Sequence, residues 1–406
     1  MKTLLTVLAV VVGTVGTVGS AQQRFDDAVR NLRNPDPKAR AAALELLAEV
    51  KHLETIEPIA PLVNDPIDEI QLAAIGTELS FYLVDDVTSR KRVAFIVERR
   101  NAGRAQTAFM AGPLAVWPRP VPVALSSALL KAIDDENPRV RVEAIYALGA
   151  IARPPLGEDH ATLLIKALDH YDAAIRTGAA RVIGRLGLAS AGDALIKTVN
   201  DSQQSVGFAA MRALGDIRSE AAVQSLTEQL AHYRKGEGGW VALDALARIA
   251  HGSSVRVFKE RLTDRDPNLR RAAAEGLARA ADSSEVAALE TIATNDDSEM
   301  VRAAAAFALQ KLGRNYVGRL VEPLDSAKMA TQIAEYFTEL GQPVAPSLAS
   351  YLKDPDDSIR GNVALILGAI GTSADVAVLE PLLQDRSAEV RRAAERAILR
   401  VKVRGV

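Results

Sequence analysis

Asp264-Arg-Asp-Pro-Asn-Leu-Arg270 is the stretch on which the fold turns, because the same seven-residue phrase returns along the chain. It is spelled Asp135-Glu-Asn-Pro-Arg-Val-Arg141, Asp296-Asp-Ser-Glu-Met-Val-Arg302, Asp354-Pro-Asp-Asp-Ser-Ile-Arg360 and Asp385-Arg-Ser-Ala-Glu-Val-Arg391. Each copy sets an acid six residues before an arginine, with an apolar residue just ahead of that arginine. Ala-rich sequence follows, often closing on Ala-Leu-Gly or similar, as in Ala147-Leu148-Gly149, Ala213-Leu214-Gly215 and Ile366-Leu367-Gly368. Weaker copies place the arginine at Arg40, Arg104 and Arg176, while Gln71, Gly207, Val241 and Ala330 stand in its place elsewhere. The mean spacing of this register is about 32 residues, which accommodates one helix-turn-helix per copy.

The phrase has a physical task. Asp, Asn or Ser accepts hydrogen bonds from the free N–H groups of a helix start, and Pro there has the right φ and no N–H to leave unpaired. A second helix of each hairpin therefore begins near the Asp-Pro. Counting from the arginine, apolar residues recur at −1, +3, +7 and +10, as in Val140, Ala144, Leu148 and Ile151. At about 100° per residue these fall on one stripe. The preceding helix repeats the pattern less regularly, with Leu125, Leu129, Leu130 and Ile133. One hairpin cannot bury both stripes alone, so hairpins stack into a row. The expected fold is all-α, an α-solenoid of about twelve hairpins.

The acid-to-arginine spacing and the period resemble HEAT repeats, in particular the short bacterial kind similar to those of phycobilisome lyases. The resemblance covers about Phe25 to Val401. It implies that the aspartate caps the second helix and that the arginine reaches an acid of the neighbouring repeat, forming a structural ladder. The pairs so implied are Asp135 with Arg141, Asp264 with Arg270, Asp296 with Arg302, Asp354 with Arg360 and Asp385 with Arg391. Where Gly207, Val241 and Ala330 replace the arginine, the ladder is expected to break.

Composition narrows the function classes. Hydrophobic residues make up 48% of the 406 and aromatics only 4%, so the core is built of small aliphatics. Basic and acidic residues number 49 and 51, which leaves no global field to draw the chain onto nucleic acid or anionic lipid. With no cysteine there is no disulfide, thiolate metal site or cysteine nucleophile. At the N-terminus, Lys2 precedes an uncharged run from Thr3 to Ala21 that ends Gly19-Ser20-Ala21. That is the pattern of a secretory signal, 1–21, cleaved before Gln22 to leave a repeat array over 22–406. The alternative is a retained anchor. No other stretch is apolar enough to span a bilayer, and the expected location is periplasmic or extracellular.

Three places depart from the repeat. After Arg104 a Pro-rich excursion, 113–122, contains Trp117 and Arg119. It is either a contact arm, since Trp and Arg are favoured anchors, or a loop folded back over a gap beside a shortened helix. Arg90, Lys91, Arg92, Arg99, Arg100 and Arg104 form a basic cluster that reads as a solvated face rather than a phosphate-binding one. Gly236-Glu-Gly-Gly239 before Trp240 lacks the Lys-Ser/Thr of a phosphate loop and reads as an inter-helix turn. The five histidines lie far apart in sequence, with no His-x₃-His pair and no His-Glu dipeptide of the kind HEAT-like di-iron hydroxylases carry. No catalytic residue, metal or cofactor is expected.

The leading functional reading is an exported, non-catalytic scaffold that binds another protein or peptide on the concave face made by successive second helices. The rival is an enzyme or chromophore-handling protein on the analogy of bilin lyases. Position +5 from the ladder points away from the apolar stripe, and there the repeats vary: Tyr146, Arg181, Arg212, Leu246, Glu275, Phe307, Glu335, Leu365 and Arg396, with Phe208 at +1. Tyr146, Arg181, Phe208 and Arg212 are taken as the contact patch. Charge reversal at Arg181 and Arg212 is expected to weaken partner binding without changing the melting temperature.

Overall fold

The register positions each fall in the first turns of a helix. In the computed structural model, which describes residues 24–84, 103–112, 115–117, 119–153, 158–233 and 236–404, the second helices are Pro37–Val50, Asp68–Tyr82, Arg104–Met110, Pro138–Ile151, Ala173–Leu186, Gln204–Asp216, Glu237–Ile249, Pro267–Arg279, Glu299–Lys311, Ala330–Leu340, Asp357–Ile370 and Ala388–Arg404. Shorter first helices such as Val123–Lys131, Val223–His232 and Val286–Asn295 alternate with them. Among the described residues there is no strand, only an isolated bridge between Leu83 and Val116. The fold is an all-α solenoid. The leader 1–21 and the basic residues Arg90, Lys91, Arg92, Arg99 and Arg100 lie outside the described residues.

The turn chemistry differs in one respect from what the resemblance implied. The phrase-opening aspartate does not cap the helix; its carboxylate accepts the N–H two residues on, from Asn137 to Asp135 at 2.8 Å, Asp266 to Asp264 at 2.9 Å and Asp356 to Asp354 at 2.9 Å. The cap is the residue at that second position. Asn137, Asp266 and Asp356 accept from the N–H groups of Arg139, Asn268 and Ser358 at 2.9, 2.9 and 2.7 Å. Two successive Asx-type turns therefore lead into these three helices, whereas Ser298 makes no such cap before Glu299–Lys311. Their geometry turns the first carbonyls inward, and the arginine takes them: Arg141 donates to Asp135 O at 2.8 Å and Glu136 O at 3.0 Å, and Arg360 to Asp354 O at 2.8 Å and Pro355 O at 3.1 Å.

The other prong of the guanidinium crosses to the next hairpin. Arg40 donates to Asp65 at 2.9 Å, Arg141 to Asp172 at 2.8 Å, Arg270 to both oxygens of Asp296 at 2.8 Å, and Arg360 to both oxygens of Asp385 at 2.8 Å. Arg302 and Arg391 bind the carbonyls of Asp296 and Asp385, each at 2.6 Å. Arg360 is the residue that, by hydrogen bonding, holds the Asp385 carboxyl below the usual carboxylate range. At Asp296 burial pushes the carboxyl up, and the Arg270 bonds outweigh it. One register residue shifts. The helix Glu237–Ile249 starts so that Trp240, not Val241, holds the fourth helical position that the arginine holds elsewhere. Trp240 donates its indole N–H to Asp266 of the next hairpin, and Val241 is core. An indole thus makes a rung where the sequence pattern suggested a break.

The recurrent glycine after Ala-Leu has a packing cause. A Cβ on Gly215 would lie 2.8 Å from the Cα of Ala245, and one on Gly368 would lie 2.6 Å from the Cα of Ala397. Successive second helices touch backbone to backbone at these points, with an alanine opposite each glycine. Gly76, inside Asp68–Tyr82, is different: its nearest neighbour would be the Nη1 of Arg104 at 3.7 Å. The same substitution should therefore carry opposite signs. Gly368→Ala should destabilise by about 1–3 kcal/mol through overpacking. Gly76→Ala should stabilise by about 1 kcal/mol through helix propensity. Urea melts of the two variants beside the parent check both.

The chain divides into two compact units, residues 1–182 and 183–406. In the first, the ladder passes over one expected copy. Gln71 donates to Asp135 at 2.8 Å, Asn137 to Asp68 at 2.6 Å, and Asn64 to the carbonyl of Ala128 at 3.0 Å. The hairpin of Gln71 therefore joins that of Arg141 directly. The short helix Arg104–Met110 lies against Pro138–Ile151 as an extra element, burying Ala105, Ala108 and Phe109. The described part of the Pro-rich excursion folds back on the end of Asp68–Tyr82. Trp117 donates its N–H to Tyr82 O at 2.8 Å, Arg119 donates to Phe81 O at 2.7 Å, and Tyr82 donates its hydroxyl to Pro120 O at 3.3 Å. Trp117 and Arg119 thus satisfy the free carbonyls of a helix C-terminus instead of projecting as an arm.

Candidate functional site

Four residues of the +5 column, and Phe208 at +1, pack between neighbouring helices, while Arg212 and Glu335 are exposed. Tyr146 is 3% exposed, Phe208 8%, Glu275 2%, and Leu246 and Phe307 are fully buried. Helices that approach at glycine and alanine bring both flanks of their stripe into contact, which widens the buried face beyond the −1, +3, +7, +10 line. The Tyr146 ring sits 5.3 Å from Phe109 and its hydroxyl accepts from Arg181 at 3.1 Å. Phe208 packs against Tyr233 with ring centroids 5.5 Å apart. That Tyr233 also explains the glycine run: a Cβ on Gly238 would lie 2.3 Å from its ring. Of the four patch residues only Arg212 is well exposed, and it pairs with Glu237 at 3.1 Å. Tyr146 and Phe208 are therefore packed side chains.

The first unit offers a different site. A cavity of about 450 Å³ opens among the second helices, lined by Ala41, Leu44 and Glu45 of Pro37–Val50, Leu72, Ala73, Gly76 and Thr77 of Asp68–Tyr82, then Arg104, Arg139 and Glu143. Its floor is aliphatic and its edges carry charge of both signs. The extra helix creates it. Arg104–Met110 starts at Gly103, and the Glu143 carboxylate accepts the Ala105 N–H at 2.9 Å. Burial pushes the Glu143 carboxyl up, while that N–H and the positive charges of Arg139 and Arg104 pull it down. Arg139 is exposed and makes no side-chain hydrogen bond or ion pair among the described residues. Nothing in the composition pointed here; the signal was Gly76, a glycine inside a helix with nothing packed against it.

On the same helix, next to Thr77, stands a residue out of place by any rule of burial. Glu78 is at +7 of the Gln71 copy, where the other hairpins carry Leu47, Leu148, Leu214, Leu277 or Leu367. It is 1% exposed, and neither carboxylate oxygen has a hydrogen-bond partner. Burial alone holds its carboxyl well above the ordinary value.

In the second unit the corresponding wall is occupied by its own charges. Arg248 bridges Asp216 at 3.2 Å and Asp244 at 3.2 Å, and Arg271 bridges Asp244 at 2.9 Å and Glu275 at 2.6 Å. Arg279 joins Glu275 at 3.1 Å to Glu339 at 2.9 Å, and Lys311 reaches Glu339 at 3.2 Å. Burial pushes the Asp244 carboxyl up, but Arg271 and Arg248 hold it far below the ordinary value. Tyr336 donates to Glu275 at 2.5 Å and stacks on Phe307 at 4.4 Å, with the Arg279 guanidinium 5.5 Å from that ring. Pro267–Arg279 thus reaches Ala330–Leu340 over the intervening helix Glu299–Lys311, whose consecutive alanines, Ala303 to Ala306, leave the room.

Among the described residues no group of three His, Asp or Glu side chains is arranged to hold a metal ion, and no helix is long and apolar enough to cross a membrane. Compared with protein-family models, residues 161–237, 239–310 and 322–399 match the model of HEAT repeats, and residues 125–153 match that of the HEAT repeat. Among solved structures, an engineered protein is 20% identical with a TM-score of 0.41, over 93% of this chain and 98% of its own. Human deoxyhypusine hydroxylase in complex with glycerol is 22% identical with a TM-score of 0.30, over 68% of this chain and 96% of its own. Likenesses of that size carry no argument about chemistry. No curated protein sequence matches the chain.

Proposed function

Because the chain belongs to the HEAT repeat family, whose stacked hairpins present long surfaces for partners, we propose that it is a non-catalytic scaffold binding another protein or peptide. The partner lies along the second helices of the first unit. The observation that carries this reading is the open groove of about 450 Å³ with an aliphatic floor and a charged rim. Such a mixture gives area for burial and polar groups for register. The wall of the second unit is already paired with itself. The run from Lys2 to Ala21 supports a site of action outside the cytoplasm.

A photo-crosslinking residue at Ala73, in the groove, set against one at the exposed Arg256, tests the reading in cells. Ala73 should yield a discrete protein adduct that Arg256 does not. Equal labelling from both positions, or none from Ala73, would overturn it.

A further inference from the structure

We infer that the groove takes an acidic peptide, with an aliphatic side chain on the Leu44, Leu72, Ala73 and Gly76 floor and a carboxylate against Arg139. This inference rests on the scaffold reading and names its partner's chemistry.

Three observations converge on it. Gly76 sacrifices helix stability, and no close neighbour compensates, since the nearest atom to an added Cβ is 3.7 Å away. The glycines at 149, 184, 215 and 368 are each explained by a helix or side chain under 3 Å from that position. What Gly76 preserves is depth in the floor. Second, Arg139 offers an uncommitted guanidinium at the rim among the described residues, suited to a carboxylate by its planar fork. Third, the nearest acid, Glu143, is turned inward to the Ala105 N–H and is only 8% exposed. Its carboxylate is committed to that N–H and makes no ion pair with Arg139 among the described residues. Glu45, the other acid of the lining, lies on a different helix, Pro37–Val50.

The test is a synthetic array of short random-sequence peptides probed with the labelled full chain and with three variants: Arg139→Glu, Gly76→Leu and the remote control Arg256→Glu. Each variant's thermal melt confirms folding. The expected result is a bound set enriched in Asp or Glu beside Leu, Ile or Val, with binding weakened about tenfold or more by Arg139→Glu and by Gly76→Leu, and unchanged by the control. A bound set without acidic bias, still lost on filling the groove at Gly76, would overturn the acidic specificity and leave the groove reading standing. Binding indifferent to both groove variants, or no binding by any peptide, would overturn both.

Discussion

Glu275→Leu should lower the stability of the second unit by about 3–5 kcal/mol, the cost of breaking a buried ionic network by removing one member. Glu275 is 2% exposed and receives Arg271 at 2.6 Å, Arg279 at 3.1 Å and the Tyr336 hydroxyl at 2.5 Å. Deleting it leaves three buried donors short of an acceptor and parts Pro267–Arg279 from Ala330–Leu340. Glu275→Gln keeps an acceptor for Tyr336 and should fall between the parent and the leucine variant. The two tryptophans report on the units separately, since Trp117 is in the first and Trp240 in the second. Urea unfolding followed at Trp240 in a Trp117→Phe background should show the lowered midpoint.

Glu78→Leu should do the reverse, raising the stability of the first unit by about 1–3 kcal/mol at neutral pH, the penalty of a buried polar group without a partner. The sign with pH follows from the direction of its shift. Burial raises the folded-state carboxyl well above its ordinary value. Below that ordinary value both states are protonated and no ionisation penalty arises. As pH climbs through the folded value, the unfolded chain gives up its proton more readily, and the parent loses stability that Glu78→Leu keeps. The gap between parent and variant, followed at Trp117, should thus widen from acid to neutral pH. A constant gap would mean that Glu78 is not held protonated in the fold. The same acid range acts oppositely on the ladder: Asp385 is held low by Arg360, so its contribution is present at neutral pH and lost as pH falls through its folded value.

These two glutamates show where sequence reasoning reaches and where it stops. The acid, the proline and the arginine of each phrase act within a single turn, so their spacing predicted the hairpins, their period and the helix starts. Cooperation between turns was less visible. That the opening aspartate makes an Asx turn and the next polar residue makes the cap depends on which N–H each carboxylate meets, and the two choices share one sequence. Trp240 replaces the arginine chemically but not by type, so the pattern slipped by one to Val241. The Arg104 copy satisfied the local pattern while the stacking passed it over, because Gln71 and Asp135 meet across 64 residues of chain.

The burial of Tyr146 and Phe208 has a related reason. A helical wheel separates a core stripe from the opposite flank, yet second helices that touch at Gly215 and Ala245 bury that flank too. At four +5 positions variety recorded buried neighbours, such as Tyr146 with Phe109 and Phe307 with Tyr336, while Arg212 and Glu335 stayed exposed. The groove itself is legible only in retrospect, through a glycine in the interior of Asp68–Tyr82.

Hydrogen exchange of the full chain with and without the tightest peptide from the array tests most directly the claim that the first unit's wall is open and the second's is closed by its own charges. Slowed exchange should concentrate in Asp68–Tyr82 and Pro138–Ile151. Protection confined to Glu237–Ile249, Pro267–Arg279 and Ala330–Leu340 would contradict the account.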